Sequence, residues 1–359
     1  MKAYLKTIVI MILSLGQILS PIGAVVLKGG ESKFFENWSE TQEYTDDYAV
    51  TLEKDPDKDF VILNLTDIQF EKFEAYSDFG KTATDTIDKL IEKVKPDLIT
   101  LTGDNGYCTS AYLKIVKDLD KYGIPWAPVM GNHDGSCCIS EFWCAYRLFK
   151  GKNCLFKFGP KDMGYGNYII NINENGKTIH TLFMMDTHSD IEDDGNINGA
   201  KNSGYDNLWL NQFDWYKWAV NGITKLEGHT VESTVLMHIP LVEFKTAWDE
   251  AYDKENSQYI GSYAETSFGE NHEATCCAPE NNGFFALCKE MGSTKNIVCG
   301  HDHINSASIL YDGIRLTYAL KCGAGGYWEN NMNGGTTLTV SSDGSVRTEH
   351  IYVELDAVK

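Results

Sequence analysis

Short apolar runs alternate with amphipathic stretches along the first part of the chain. The apolar runs are short and rich in β-forming residues, which favours buried strands over helices. Pro96 and Gly123 fall where two of the amphipathic stretches end, as helix-breaking residues do. The alternation predicts a layered α/β sheet, with strands over 59–66, 97–102 and 125–130 and helices over 82–94, 109–122 and 140–149.

The rest of the chain is richer in alternating, strand-like segments. Asn175-Gly176 separates two of them and is a strong hairpin signal. Apolar residues at helical spacing predict a helix over 206–222. Residues 241–281 show little periodicity, and we expect a lid or rim there. The predicted strands are 166–173, 178–186, 231–237, 295–299, 305–310, 314–319, 335–340 and 346–353.

Polar motifs follow five of the predicted strands directly. Loops at strand ends in a layered α/β sheet can converge on one crevice. Together the motifs supply two Asp, one Asn and three His as candidate ligands, a donor set that suits transition metals rather than calcium. They are Thr66-Asp67-Ile68-Gln69, Gly103-Asp104-Asn105-Gly106-Tyr107, Gly131-Asn132-His133-Asp134, Met237-His238-Ile239-Pro240 and Gly300-His301-Asp302-His303.

Each motif alone also has a structural explanation. Asp67 after a strand can cap a turn, and His238 before a proline can be a satisfied core histidine. All five motifs in this order, each at a strand end, are better explained by one shared site.

In this order the motifs resemble those of the calcineurin-like metallophosphoesterase superfamily, and in particular its branch that is similar to purple acid phosphatases. The stretches Asn282-Gly283-Phe284-Phe285 and Gly323-Ala324-Gly325-Gly326-Tyr327 share that resemblance. It implies a four-layer αββα sandwich, an α/β fold with a dimetal site at the strand ends. The implied domain covers residues 59–355, after a polar lead-in over 25–58 that we expect to hold a short strand and to be exposed.

The resemblance also implies how the ligands are shared. Asp67, Asp104 and His303 would hold the first metal. Asn132, His238 and His301 would hold the second, and the Asp104 carboxylate would bridge both. His133 would stay off the metals and donate a proton or stabilise charge at the substrate. Asp134 would orient His133, and Asp302 would be a metal ligand or accept a hydrogen bond from a ligating histidine.

One position departs from the common pattern of the superfamily. Gln69 stands where most members have a histidine, and an amide is a weaker ligand for transition metals. Purple acid phosphatases also lack that histidine and use a tyrosine, for which Tyr107 is in the matching place. A ligating Tyr107 would favour Fe(III) beside Fe, Mn or Zn. The alternative is that Tyr107 only lines the cleft.

The reaction implied by the resemblance is attack on the phosphorus of a small phosphomonoester by a hydroxide that bridges the metals. Two alternatives stay open: a phosphodiesterase of the same superfamily, and a metal-binding pseudoenzyme that acts as an interaction module. Further candidates for substrate contacts are His188, Tyr327 and Trp328.

The N-terminus and composition indicate the compartment and the partners. Lysines, then an apolar run, then small residues at Gly23 and Ala24 predict a signal peptide over 1–24, hence a secreted, extracellular or lumenal protein without stable membrane insertion after cleavage. The ten cysteines fit that compartment, and we expect disulfides in the loops after His133 and before Asn282. A net charge of −20 disfavours a nucleic-acid polymer as partner. The oligomeric state cannot be predicted.

Overall fold

A computed structural model of the chain describes residues 30–70, 78–136, 140–191 and 204–355. The predicted signal peptide over 1–24 lies outside these ranges, as do Cys137 and Cys138. The cysteines inside the described ranges form no disulfide with one another. No described helix is both long and apolar enough to cross a membrane.

Fourteen strands are named here in chain order. They are β1 (Ala49–Glu53), β2 (Phe60–Leu65), β3 (Leu98–Thr102), β4 (Trp126–Val129), β5 (Tyr168–Glu174), β6 (Lys177–Met184), β7 (Glu232–Leu236), β8 (Tyr252–Asp253), β9 (Gln258–Tyr259), β10 (Thr294–Cys299), β11 (Ser308–Tyr311), β12 (Ile314–Tyr318), β13 (Gly334–Val340) and β14 (Val346–Tyr352). The α-helices are α1 (Asp78–Val94), α2 (Thr109–Asp120), α3 (Glu141–Phe149), α4 (Leu210–Glu227), α5 (Val242–Ala251), α6 (Tyr263–Thr266) and α7 (Phe284–Met291).

The strands form two large sheets. One has the order β14-β13-β2-β3-β4, and β2, β3 and β4 run parallel within it. The other has the order β1-β5-β6-β7-β10-β12-β11, and β6, β7 and β10 run parallel within it. Helices α1 and α2 connect the parallel strands of the first sheet, as parallel pairing requires. Strands β8 and β9 form a separate small hairpin.

Both faces of the seven-stranded sheet are covered. Ile170 and Ile172 of β5 pack in the apolar cluster that contains the five-stranded sheet and helices α1 to α3. Ile169, directly before them in the strand, packs in the second cluster with helices α4, α5 and α7. Alternating residues of a strand point to opposite faces, so the layers run helix, sheet, sheet, helix. The four-layer αββα prediction is confirmed.

Three helices differ from the sequence-based predictions. Helix α4 begins at Leu210 rather than at residue 206, because the Gln212 side chain caps it by accepting a hydrogen bond from the Trp209 backbone N–H. The rim over 241–281 contains helix α5, whose buried residues Phe244, Ala247, Trp248 and Ala251 do have helical spacing. Helix α7 was not predicted.

The lead-in is less exposed than expected. Strand β1 forms as predicted and pairs parallel with β5 at the sheet edge. Phe34 and Phe35 pack against the first apolar cluster, and Tyr44 is buried in the second. These aromatic side chains cover apolar surface such as Phe158, with a Phe34–Phe158 ring distance of 5.2 Å. Burying them removes apolar area from water and so ties the lead-in to the fold.

Candidate active site

The five motif loops meet at one edge of the sandwich. Three follow β2, β3 and β4 of the five-stranded sheet, and two follow β7 and β10, which are neighbours in the seven-stranded sheet. The carboxyl ends of parallel strands lie at the same edge, so the loops converge there. Asp67, Asp104 and His301 have positive φ angles of 51°, 49° and 78°. Such backbone costs energy in residues other than glycine, and it turns these side chains inward right after each strand.

Asp67, Asp104 and His303 form the first donor set. All three are buried, and one ligand atom from each lies within 4.8 Å of the others. Asp67 Oδ1 is 3.5 Å from His303 Nε2. The backbone N–H of His301 donates to Asp67 Oδ2 over 3.0 Å, and Thr66 Oγ1 donates to the same oxygen over 2.8 Å. These bonds fix one carboxylate oxygen and leave Oδ1 to face the cluster.

Asn132, His238 and His301 form the second donor set, beside Asp104. Asn132 Oδ1 lies 2.9 Å from His238 Nε2 and 3.0 Å from His301 Nδ1. The two imidazole nitrogens are 3.2 Å apart, and His238 Nε2 is 3.3 Å from Asp104 Oδ1. Asp104 therefore borders both donor sets. The structure brings all six predicted ligands into one cluster, in which Asn132 is half-buried and the other five are buried.

Backbone carbonyls set the orientation of two of the imidazoles. His238 Nδ1 lies 2.8 Å from the Thr102 carbonyl, and His303 Nδ1 lies 2.9 Å from the Tyr327 carbonyl. A carbonyl only accepts, so each of these nitrogens carries the hydrogen. The Nε2 lone pairs of both rings consequently face the cluster, which is the orientation that a metal ligand needs.

The cluster fits metal ions by three further observations. Among the described residues, Asp67 Oδ1, Gln69 Oε1 and His301 Nε2 are buried polar atoms without a hydrogen-bond partner, which costs free energy. A Cβ at Gly131 would stand 2.4 Å from Asp104 Oδ1, so only glycine lets this loop approach. A Cβ at Gly300 would stand 2.7 Å from Asp67 Oδ2. When bound, two ions would act as Lewis acids and lower the pKa of a bound water.

Comparison with known proteins decides the family. The family model of calcineurin-like phosphoesterases matches residues 60–305, which include all six predicted ligands. The chain belongs to the calcineurin-like phosphoesterases. It is 29% identical over 290 residues to "Probable inactive purple acid phosphatase 14" of Arabidopsis thaliana, covering 73% of this chain and 67% of the relative. It is 28% identical over 304 residues to "Phosphatase DCR2" of Saccharomyces cerevisiae, covering 77% of this chain and 50% of the relative.

A solved structure supports the fold. A dimetal phosphatase from Danio rerio matches with a TM-score of 0.50 at 12% identity, over 79% of this chain and 94% of that one. The resemblance to purple acid phosphatase-like calcineurin-like phosphoesterases is thus confirmed. Such phosphoesterases use a dimetal centre. The chain spans only half the length of the yeast relative.

The acidic and basic side chains of the cluster shift one another's pKa values in this calcineurin-like phosphoesterase. Burial alone would raise the pKa of Asp67, but the hydrogen bond and charge of His303, together with His238 and Lys321, hold it well below its usual range. Burial lowers the pKa of His238, yet Asp104 and Asp67 raise it overall. Burial and neighbouring His238 hold the pKa of His301 well below its usual range.

His133 and Tyr107 lie together at the mouth of the site. The His133 backbone N–H donates to Asp104 Oδ1 over 2.9 Å, while its ring packs on Tyr107 with centroids 4.9 Å apart. Both side chains are partly exposed. His133 is thus anchored to a ligand without joining the ligand cluster, the place expected of a group that faces substrate.

Asp134 has another role than the predicted one. It is buried, and its carboxylate accepts hydrogen bonds from the backbone of Asn105, Gly106 and Gly131 and from the Tyr112 hydroxyl. None of its hydrogen bonds comes from His133. Asp134 therefore ties the loop after β3 to the loop after β4, which fixes the position of Asn132 and corrects the expectation that it orients His133.

Gln69 and Asp302 support the cluster from opposite sides. Gln69 Nε2 donates to Asp104 Oδ2 over 2.7 Å, so the amide orients the predicted bridging carboxylate. Asp302 accepts from the Cys276 backbone N–H at 3.2 Å and from Asn305 Nδ2 at 3.3 Å. Burial raises the pKa of Asp302 to about 7. Asp302 thus anchors the loop at residue 276. This corrects the sequence-based alternative in which Asp302 accepts a hydrogen bond from a ligating histidine.

The predicted substrate contacts divide into two places. The Tyr327 ring stacks on His303 with centroids 4.1 Å apart, and Trp328 follows it in the same loop, partly buried. His188 lies elsewhere: its ring stacks on Trp209 at 3.7 Å, and it lines a cavity of about 730 Å³ to which no predicted ligand contributes. The structure does not bring His188 into the ligand cluster.

Sequence reasoning missed two residues of the site. Lys321 is fully buried, and its Nζ donates to the Asp67 carbonyl over 2.6 Å. A lone lysine inside the apolar run Tyr318–Cys322 was the available signal. Tyr205 packs its ring on the edge of His301, with centroids 4.3 Å apart. It lies in a Gly- and Asn-rich stretch and carried no signal of its own.

Proposed function

We propose that this protein is an active metal-dependent phosphatase that hydrolyses small phosphomonoesters. The observation that carries the proposal is the complete donor set. Five buried side chains and the half-buried Asn132 converge, and among the described residues Asp67 and His301 carry buried atoms without a hydrogen-bond partner. A domain that binds no metal has no reason to keep such costly groups converging. The donor set therefore supports metal binding, and turnover separates the phosphatase from a metal-binding pseudoenzyme.

The residues of the chain have separate tasks in this proposal. Asp67, Asp104 and His303 would hold one ion, and Asn132, His238 and His301 the other, with Asp104 between them. Asn132 is a neutral donor, which leaves its ion a stronger Lewis acid. His133, held at the mouth by its backbone bond to Asp104, reaches the leaving-group oxygen and gives it a proton or stabilises its charge.

The identity of the metal pair is part of the proposal. A Tyr107 phenolate would favour Fe(III) in the first site, beside Fe, Mn or Zn in the second. Tyr107 contacts the His133 ring, so it is close to the substrate side of the cluster. Iron-loaded protein should then absorb visible light through phenolate-to-iron charge transfer, and Tyr107→Phe should abolish the band. A colourless iron-loaded protein would restrict Tyr107 to lining the cleft.

The decisive experiment compares 4-nitrophenyl phosphate with bis(4-nitrophenyl) phosphate. Protein loaded with iron, manganese or zinc is assayed beside His238→Ala and a control, His229→Ala, which replaces an exposed histidine. Turnover of the monoester that His238→Ala loses and His229→Ala keeps would support the proposal. Faster hydrolysis of the diester would instead favour a phosphodiesterase.

A metal-binding pseudoenzyme is the second candidate, because one relative carries the name "Probable inactive purple acid phosphatase 14". It predicts bound metal by elemental analysis and no turnover of either ester with any metal. That result, obtained on folded protein, would contradict the phosphatase proposal.

The proposal also covers the compartment of the protein and the size of its substrates. We place the protein in a secreted, extracellular or lumenal compartment, on the strength of the apolar run after Lys6 and the small residues at Gly23 and Ala24. The net charge of −20 favours small phosphoesters over a nucleic-acid polymer as substrates. N-terminal sequencing of the mature protein tests the compartment, since an intact Met1 would contradict cleavage of a signal peptide.

A further inference from the structure

Three tyrosines pack their rings on three histidines of the site, and we call Tyr107, Tyr205 and Tyr327 the tyrosine collar. Tyr107 contacts His133 with ring centroids 4.9 Å apart. Tyr205 meets His301 edge-on, at 4.3 Å and 89°. Tyr327 stacks on His303 at 4.1 Å and 23°. Each tyrosine comes from a different loop, so the collar is assembled only in the folded protein.

The tyrosine collar lies between the ligand cluster and solvent. Asp67 and Asp104 are each 1% exposed, and His238 is 0% exposed. The collar side chains are in contrast accessible, Tyr107 and Tyr205 in part and Tyr327 by 48%. When the phosphoryl group of a substrate reaches the cluster, the leaving group of the ester therefore lies among these rings.

The Tyr327 ring, and the backbone that carries the Tyr107 and Tyr205 rings, are held before any substrate arrives. The Tyr107 backbone N–H donates to the Phe70 carbonyl over 3.1 Å. Tyr205 forms an antiparallel bridge with Asp190. The Tyr327 hydroxyl donates to Glu273 Oε2 over 2.8 Å, and Glu273 Oε1 accepts from the Ile304 backbone N–H. Rings already fixed in place lose little entropy when they contact a ligand.

The charged groups that the structure describes beside Tyr205 and Tyr327 are acidic. Glu273 is bonded to the Tyr327 hydroxyl. Asp190 pairs with Tyr205 in an antiparallel backbone bridge. The negative potential from these carboxylates repels an anionic leaving group, whereas an uncharged ring meets only aromatic surface.

We propose that the tyrosine collar makes this site selective for aryl phosphates, phosphomonoesters in which the leaving group is an uncharged aromatic ring. This inference rests on the proposed function. In the reaction, water adds to phosphorus, the bond between phosphorus and the aryl oxygen breaks, and the phenol departs with a proton. Ester and water are the only reactants, and phosphate and the phenol are the products.

The test begins with binding, so that it does not depend on turnover. Metal-loaded protein is titrated by calorimetry with phenylphosphonate and with cyclohexylphosphonate, which match in size and charge but differ in aromaticity. We expect phenylphosphonate to bind more tightly, by about 2- to 10-fold for each ring that it contacts. Tyr205→Leu and Tyr327→Leu should each reduce that preference, while Tyr327→Phe should keep it.

Tyr352→Leu is the matched control. Tyr352 is 48% exposed, like Tyr327, and its ring also contacts a histidine, His350, with centroids 5.9 Å apart. His350 belongs to no donor set, so the control should keep the full preference for phenylphosphonate. Equal binding of the two phosphonates by the unaltered protein would overturn the inference. So would equal losses for both phosphonates in Tyr327→Leu, which would show that the ring only positions His303.

Hydrolysis then separates this inference from the proposed function. Phenyl phosphate and hexafluoroisopropyl phosphate have leaving groups of similar acidity, and kcat/KM should favour the phenyl ester mainly through KM. A preference for phenylphosphonate without turnover of either ester would contradict the phosphatase proposal and leave the collar standing. Turnover of both esters without aryl preference would overturn the collar alone.

Discussion

Buried histidines lie in two regions of this molecule and are held in opposite ways. In the body of the sheets, His180 Nδ1 bonds to the Gly344 carbonyl over 2.8 Å and its Nε2 to Thr234 Oγ1 over 2.9 Å. His350, half-buried on the edge strand β14, is likewise bonded at both nitrogens, to Thr336 Oγ1 and to the Ser306 carbonyl. Burial lowers the pKa of each ring to about 4.

At the edge of the sheets, each ligand histidine keeps one nitrogen for the cluster. His238 is as buried as His180, at 0% exposure. Its Nδ1 bonds to a carbonyl, but its Nε2 faces Asp104, whose charge raises the pKa that burial alone would lower. Burial therefore does not mark a ligand. A nitrogen left to face the donor cluster distinguishes the predicted ligands, and four experiments can break or sharpen this contrast.

The largest effect is expected from replacing one histidine in each region. His301→Ala removes a ligand nitrogen and should lower kcat/KM by about a thousandfold, or about 4 kcal/mol. His180→Ala leaves a cavity and unpartnered Thr234, so it should lower the free energy of unfolding while the folded protein keeps its kcat/KM. Steady-state kinetics and urea unfolding of both variants provide the check. Equal losses of kcat/KM in His301→Ala and His180→Ala would contradict the difference between the two regions.

Metal removal should act on one region only. Ligand bound at 100 to 1,000 times its dissociation constant stabilises a fold by about 3 to 4 kcal/mol. A chelator should therefore lower the free energy of unfolding of the unaltered protein by about that amount. His180→Ala should lose as much on chelation as the unaltered protein, and His301→Ala much less. Urea titrations with and without chelator measure the difference, and an equal response of both variants would argue against His301 as a ligand.

The pH dependence of stability should have opposite signs for His180 and His238. For His180 and His350 the pKa is 6.5 unfolded and about 4 folded. The unfolded chain binds more protons between these values, so their contribution is complete above pH 6.5 and is lost as pH falls toward 4. The loss is about 3 kcal/mol for each ring. His238, with a raised pKa, contributes stability at low pH that is lost as pH rises.

Metal-free protein is the right sample for this comparison, because bound ions would mask the His238 titration. Urea unfolding at several pH values should give a flatter acid limb for His180→Ala. His238→Ala should instead remove stability at low pH, so its free energy of unfolding should fall less as pH rises. Parallel pH profiles for the two variants would contradict the difference in environment.

The sequence predicted which side chains converge at the edge of the sheets, and the reason is physical. Each ligand follows a buried strand within a few residues, and an apolar run shows where such a strand ends. The contacts that complete the site are long-range and leave no local pattern: Lys321 reaches the carbonyl of Asp67, and Tyr327 stacks on His303. The tie that Asp134 makes to Asn105 also needs the folded loops.

Missed helices had a different cause. Helix α5 buries Phe244, Ala247, Trp248 and Ala251, a periodic stripe that the surrounding polar residues obscured. The start of α4 was misplaced because Trp209 is an unusual residue for a helix N-terminus, where Ser, Thr, Asp or Asn is preferred. Capping by Gln212, three residues later, replaces that signal.

The smallest effect tests the residue that departs from the superfamily pattern. Gln69 Nε2 donates to Asp104 Oδ2 over 2.7 Å, while its buried Oε1 has no hydrogen-bond partner. Gln69→Leu keeps most of the volume and removes the bond to a charged acceptor, which is worth about 2 kcal/mol. We expect a loss of kcat/KM of about thirtyfold or less, with metal content by elemental analysis retained.

Gln69→Glu separates orientation from ligation. A carboxylate at this position can ligate an ion but can no longer donate to Asp104, and it places a second negative charge beside it. If Gln69 only orients Asp104, both variants should lose activity while the metal pair stays the same. If its Oε1 ligates, Gln69→Glu should bind metal more tightly and Gln69→Leu should lose one ion. In that case Gln69 would resemble the predicted ligand histidines of the edge region. Like them, it would keep one atom to face the cluster, and in Gln69 this atom is Oε1, which has no hydrogen-bond partner among the described residues.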